Sequence, residues 1–360
     1  MNEVKQDQSP ESTRPAMRRA TIKDVARVSG VSVTTVSNVL NGRSGSMTPD
    51  TLQRVRLAIR DLGFRRNEMA RGLVRRRTAT VGLVIAEIET PLFLQAISII
   101  QPLAHQADYD LLIYSARDER AEGQAIELFL EKDVAGVVFL STSAYSHHEH
   151  FLPLIDAGKA AILINRAESP PYIDRINWDN EGGVEQAVIH LAQLGHTRIA
   201  HLCGPPHRSS STERVRGYRS GLAKCDLTYD SELVRMVDYT GSQVTWRDAT
   251  TALISHQRPP TAIIAADDMI AAVAMTTIQQ LGLGVPEDVS IIGIDDQNFT
   301  SMLNPALTTV QLPVPKAGRC AIEMLLSRMQ GETSPPQHLL LPCPLIHRDS
   351  VAPPKDVQPR

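Results

Sequence analysis

At Ala79 the apolar periodicity of this 360-residue chain changes. Beyond that point strand-length apolar runs alternate with helical stretches: VGLVIAE, YDLLIYSA, VAGVVFLST and AAILINR, then RIAHLCG, VRMVDY, AIIAADD and VSIIGIDD. Runs of this kind need burial on both faces, which a parallel sheet with crossover helices supplies. Eight of them suffice for two α/β lobes, assigned as about 79–177 with 308–334 and about 178–307 with 335–351. Ligands bind such sheets beyond the carboxyl ends of the strands, so a cleft is expected between the lobes.

Ahead of this body lies a different pattern. Thr21 and Asp24 have the spacing of a capping box, and Ile22, Val25 and Ala26 share a helix face. Ser29-Gly30 supplies a turn, and Ser32 is placed to cap a second helix whose Val36, Val39 and Leu40 point inward. Thr48-Pro49-Asp50 opens a third helix that Gly63 closes. The result is a small all-α head, residues 20–66, with the helix-turn-helix pattern. In that motif the second helix enters the major groove of DNA, and Val33, Thr34, Thr35, Ser37 and Asn38 are the short side chains it would bring to the bases.

Charge supports the same partner. Residues 1–80 hold 16 Lys and Arg against 7 Asp and Glu, a net +9, whereas the rest of the chain nets −12 within a total of −3. A basic head on an acidic body suits a polyanion. Thr21, Ser32, Arg43 and Arg54 are the expected phosphate contacts. The stretch 67–78 holds a short segment capped by Asn67, in which Leu73 stands among Arg71, Arg75, Arg76 and Arg77. Apolar wedges flanked by basic residues are used to bend DNA through its minor groove.

TIKDVA, GVSxxTVSxVLN (Gly30 to Asn41), LGF (Leu62 to Phe64) and NxxARGL (Asn67 to Leu73) together closely resemble the LacI/GalR family of bacterial transcription regulators. The resemblance continues through DNEGG (Asp179 to Gly183), LGHTRIAHLCGP (Leu194 to Pro205), RVRGY (Arg214 to Tyr218), VPEDVSIIGIDD (Val285 to Asp296) and PALTTVQLP (Pro305 to Pro313). It implies a body like the periplasmic sugar-binding proteins over residues 79–351. It also implies a hinge helix in which Asn67, Ala70, Arg71 and Leu73 meet the minor groove, with Leu73 as the inserted lever. A homodimer on a near-palindromic double-stranded operator follows by the same route, as does an effector that changes the angle between the lobes.

The polar residues at strand ends indicate the effector class. Asp179, Arg214, Tyr239, Asp267 and Asp295 combine donors, acceptors and an aromatic face, which suits a polyol. By the resemblance, Arg214 and Asp295 would grip effector hydroxyls, Asp267, Asp179 and Tyr239 would complete the wall, and Phe93 would face them from the other lobe. A carbohydrate is therefore expected; a nucleobase effector or control by a protein partner is the alternative, and a sugar-binding protein without regulatory output is a more distant one. Leu92, standing before Phe93, argues against a second aromatic for a purine, Pro102 interrupts the following helix, and Asp108 takes the place of a glycine.

Other classes find little footing. No P-loop, GxGxxG or G-x-S-x-G pattern is present, so no enzyme or nucleotide cofactor is expected. His147, His148 and His150 read as a polar surface loop, not a metal site. Cys203, Cys225, Cys320 and Cys343 are widely spaced, as in a reducing cytoplasm, and neither a membrane span nor a signal peptide is apparent. Residues 1–19 and 352–360 read as disordered tails.

Overall fold

The computed structural model describes residues 20–40, 47–64, 79–140, 148–166, 170–239 and 241–355. The chain divides into two compact units, Met1–Arg76 and Arg77–Arg360. The expected tail 1–19 and the hinge and linker 67–78 up to Thr78 lie outside the described residues.

In the first unit, α1 (Ile22–Ser29), α2 (Val33–Leu40) and α3 (Pro49–Asp61) surround a small core of Val25, Ala26, Val36, Val55 and Ala58. The capping box is formed: Thr21 accepts from the Asp24 backbone, and Asp24 accepts from the Thr21 backbone at 2.9 Å. Gly30, at φ 67°, takes the left-handed conformation that turns the chain toward α2. Ser32 Oγ then accepts from Thr35 N at 3.1 Å, satisfying one orphan donor of α2.

The second unit has two six-stranded sheets. Its strands are β1 (Thr80–Ile85), β2 (Asp110–Ser115), β3 (Gly136–Leu140), β4 (Ala160–Ile164), β5 (Asp174–Trp178), β6 (Ile199–Cys203), β7 (Val234–Met236), β8 (Ala262–Ala265), β9 (Ser290–Asp295), β10 (Thr308–Gln311), β11 (His338–Leu341) and β12 (Leu345–Ile346). Lobe one has the order β11-β5-β4-β3-β1-β2 and lobe two the order β12-β10-β9-β8-β6-β7. Every pairing is parallel except β10 with β12. Every residue of β3, β6, β8 and β9 is buried, as strands covered on both faces require. Edge strand β2 instead has no fully buried residue.

Among the described residues of this unit there are eight α-helices: α4 (Pro91–Gln106), α5 (Glu119–Glu131), α6 (Leu152–Asp156), α7 (Asn180–Gln193), α8 (Ser209–Lys224), α9 (Gln243–Ile254), α10 (Asp268–Gln280) and α11 (Val314–Met329). The α7–α8 contact explains the glycine of RVRGY. A Cβ on Gly217 would stand 2.1 Å from the Glu181 carbonyl oxygen, so only glycine lets the two backbones approach.

Three sequence expectations need correction. Residues 308–311 form β10 in lobe two, and residues 338–341 form β11 in lobe one, the reverse of their expected assignment. The chain therefore crosses between lobes after β5, after β10 and after β11. A short apolar run carries no mark of which of two similar sheets will accept it. Residues 352–355 are not a loose tail: Ala352 O accepts from Ser290 Oγ at 3.0 Å, and Lys355 Nζ reaches Asp288 at 2.5 Å. Pro102 does not break α4; it is exposed, and the helix runs through it to Gln106. Asp108 does adopt the left-handed conformation, at φ 64°.

Candidate functional site

The five residues expected to read bases all lie on α2. Val36 is fully buried, whereas Val33 and Thr34 are exposed and Thr35, Ser37 and Asn38 half-buried. Thr21 and Ser32 are already engaged as helix caps, Thr21 Oγ1 donating to Asp24 Oδ2 at 2.7 Å. Arg54 pairs with Asp50 at 3.1 Å and donates to the Ser29 carbonyl at 3.3 Å, bracing α3 against the end of α1. Arg43, Asn67, Ala70, Arg71 and Leu73 lie outside the described residues.

In the body, a cavity opens between the lobes. Phe93, from α4, lines the lobe-one wall with Leu92, Trp178, Glu87 and Asn165. Arg214, Tyr239, Asp267 and Asp295 line the lobe-two wall with Arg208 and Ser210. Helix α8 delivers Arg214 from its second turn, and the carboxyl ends of β8 and β9 deliver Asp267 and Asp295.

Arg214 organises the lobe-two wall. Its Nη1 donates to the Ala266 carbonyl at 2.6 Å and to Tyr239 Oη at 3.2 Å. Its Nη2 stands 3.9 Å from Asp295 Oδ1, and its Nε has no hydrogen-bond partner among the described residues. Burial opposes the guanidinium charge, but Tyr239, Asp295 and Asp267 more than offset it and raise its pKa. Burial also pushes Asp267 up to about 6, with Arg214 pulling the other way, and holds Asp295 well above the usual carboxylate range. One fixed cation thus faces two carboxyl groups that resist full ionisation. Such a wall can both donate to and accept from hydroxyl groups.

Asp179 departs from expectation. It does not line the cavity: its Oδ1 accepts from Gly182 N at 2.8 Å and caps α7. Asp267 also caps a helix, accepting from Ile270 N at 2.7 Å, yet still lines the cavity. Sequence reasoning missed Trp178, Glu87, Arg208 and Asn165. Trp178 ended the RINW run and could have been found by the same strand-end rule that found its neighbour Asp179. It supplies a second aromatic that Leu92 does not, and its Nε1 is buried without a hydrogen-bond partner among the described residues.

The histidine-rich stretch also differs from its reading as a surface loop. His147 lies outside the described residues. His150 Nε2 lies 2.9 Å from Glu122 Oε2, and Arg166 Nη2 donates to both Glu122 oxygens at 2.8 and 2.7 Å. This is a buried ion cluster within lobe one. Among the described residues no group of three or more His, Cys, Asp or Glu is placed to hold a metal ion. No described helix is long and apolar enough to cross a membrane.

A helix-turn-helix head joined to a two-lobed ligand-binding body defines a regulator that couples DNA binding to a small molecule. Residues 21–67 match the profile for bacterial regulatory proteins of the lacI family, and residues 188–351 match the periplasmic binding protein-like domain. The HTH-type transcriptional regulator CelR of Thermobifida fusca is 32% identical over 343 residues, spanning 92% of this chain and 98% of its own. GalR of Escherichia coli K12 is 32% identical over 345 residues, spanning 93% and 96%. Among solved structures, the lac repressor dimer bound to operator and the anti-inducer ONPF aligns with a TM-score of 0.79 at 26% identity, covering 93% of this chain and all of that one. A CelR–cellobiose complex aligns with a TM-score of 0.68 at 29% identity, covering 92% and all. The chain belongs to the LacI family of bacterial transcriptional regulators, and its relatives are DNA-binding regulators, not enzymes.

Proposed function

We propose that this regulator takes a carbohydrate effector in the cleft between its lobes and acts as a cytoplasmic repressor, binding a near-palindromic operator as a homodimer. The observation that carries the effector reading is Arg214. A buried guanidinium with an unpartnered Nε and a 3.9 Å gap to Asp295 is a prepared slot for a hydroxyl group. Phe93 and Trp178 supply apolar faces for sugar C–H groups. Likeness to the CelR–cellobiose complex supports the same class. Phe93, Arg214, Tyr239, Asp267 and Asp295 are the proposed effector contacts; Asp179 positions α7 instead.

On the DNA side, Val33, Thr34, Thr35, Ser37 and Asn38 read bases. The lever role of Leu73, with Asn67, Ala70 and Arg71, rests on sequence resemblance. Two recognition helices in a dimer fit two half-sites. The test is a thermal-shift screen against sugars, sugar acids and nucleobases, followed by an operator gel-shift with each hit. A ligand that binds the native state raises the melting temperature. Stabilisation by a sugar that also shifts operator affinity supports the reading; stabilisation by nucleobases alone overturns it.

A further inference from the structure

Glu87 and Arg208 line the same cavity but are not explained by hydroxyl recognition alone. Glu87 follows β1 in lobe one, and Arg208 immediately precedes α8 in lobe two. Arg208 Nη2 donates to Glu87 Oε1 at 2.5 Å, with the two side chains only 12% and 4% exposed. Thr90 Oγ1 donates to the other carboxylate oxygen at 3.2 Å. Thr90 gives up capping α4 with its side chain to do so; Pro91 at the helix start needs no N–H partner. The Glu87 carboxylate is thus held in place by lobe one and presented to a cation from lobe two.

This pair bears on what charge the cavity can accept. Arg208 is neutralised by Glu87, and Arg214 faces Asp295 and Asp267. An anionic group seated at Arg208 would compete with Glu87 for it and place a second negative charge beside a buried carboxylate. A neutral ligand can donate hydroxyl protons to Glu87 and accept from Arg208 without separating them. We infer, building on the carbohydrate reading above, that Glu87 is a specificity-determining residue that restricts the cleft to neutral sugars and excludes sugar acids and sugar phosphates by occupying Arg208.

The inference is tested by calorimetric titration of the full chain with matched pairs: glucose with glucuronate and glucose 6-phosphate, galactose with galacturonate, and cellobiose with cellobionate. The wild-type protein is expected to bind at least one neutral sugar about tenfold or more tighter than its acid. In Glu87→Gln, removing the carboxylate charge beside Arg208 is expected to narrow that preference about tenfold or reverse it, and the added Arg208→Gln change is expected to abolish the gain. Tighter binding of an acid by the wild-type protein overturns the charge selection but leaves the carbohydrate reading intact. An unchanged preference in a folded Glu87→Gln protein overturns the role of Glu87. Should that variant not fold, the wild-type pairs still decide the charge preference. No binding of any sugar, neutral or acidic, overturns the carbohydrate reading and this inference with it.

Discussion

Arg214 Nη2 and Asp295 Oδ1 face each other at 3.9 Å, close enough for attraction and too far for a hydrogen bond. Asp295 is held there by a backbone at φ 122°, unusual for any residue but glycine. A hydroxyl oxygen placed beside this gap could accept from the guanidinium and donate to the carboxyl. Arg214→Lys keeps the charge but loses the planar fork that reaches Ala266 and Tyr239. Effector affinity is expected to fall by about 2 kcal/mol, roughly thirtyfold. Operator affinity without effector should be unchanged. Calorimetry and a gel-shift check both halves; an unaltered effector affinity would remove Arg214 from the site.

On the recognition helix, Thr34→Ala and Asn38→Ala are expected to relax sequence preference at particular operator positions. Each should cost about 1–3 kcal/mol against the preferred base while leaving the salt dependence of binding unchanged. Competition binding with single-base operator variants measures this. A uniform loss across all sequences would make these residues phosphate contacts instead.

His201 is fully buried, donates from Nδ1 to the Ile264 carbonyl at 2.9 Å, and stacks on Tyr218. Burial lowers its pKa from 6.5 to about 4. The folded state therefore holds it neutral, and the associated stability, present above pH 6.5, is lost as pH falls toward 4. This loss amounts to about 3 kcal/mol. His201→Phe keeps a ring beside Tyr218 and should flatten this acid limb. Parallel stability curves for the two proteins between pH 7.5 and about 4.5 would dismiss the linkage.

Asp268 shifts in the opposite direction. Burial raises it to about 7 despite bonds from Thr309 Oγ1 at 2.6 Å and Gln297 N at 2.8 Å. Relative to an ordinary Asp, the protonated form stabilises the fold at low pH, and that contribution is lost as pH rises from 3.8 toward 7. Asp268→Asn should melt higher than wild type at pH 8, by at least about 1 kcal/mol, with the gain vanishing near pH 4. Melting scans at both pH values decide it, and a variant less stable at pH 8 contradicts the account.

Gly217→Ala would drive a methyl into the Glu181 carbonyl across the α7–α8 contact. Backbone on both sides leaves no side chain to swing away. A loss of about 1–3 kcal/mol or more is expected in urea unfolding. A neutral effect would mean that the helices can part freely.

The helical head was readable because caps, turn and apolar spacing all agree locally: Thr21, Gly30, Ser32 and Thr48 do what their side chains and backbone preferences dictate. The two-lobed α/β class followed from uninterrupted apolar runs. Which sheet received β10 and β11 was not readable, because the lobes are alike and the choice depends on contacts far away in sequence. In the cavity, strand-end position found Arg214, Tyr239, Asp267 and Asp295, but a strand-end aspartate can cap a helix with or without facing a ligand. Asp179 and Asp267 carry the same local signal and differ only in what lies across the cleft. Glu87 and Arg208 were invisible for a related reason: each is ordinary alone, and their meaning lies in a pairing over 121 positions of sequence.

The three crossings of the chain also set the order in which this protein can be completed on the ribosome. Lobe one lacks an edge strand until His338–Leu341 has emerged, and lobe two lacks its own until Leu345–Ile346 follows. Lobe one cannot finish until nearly all of lobe two has been synthesised, and lobe two finishes only after lobe one. A chain terminated before His338 would lack an edge strand in both lobes at once. It would therefore be open to proteolytic clearance, leaving little chance that a head with a half-built sensor persists on DNA.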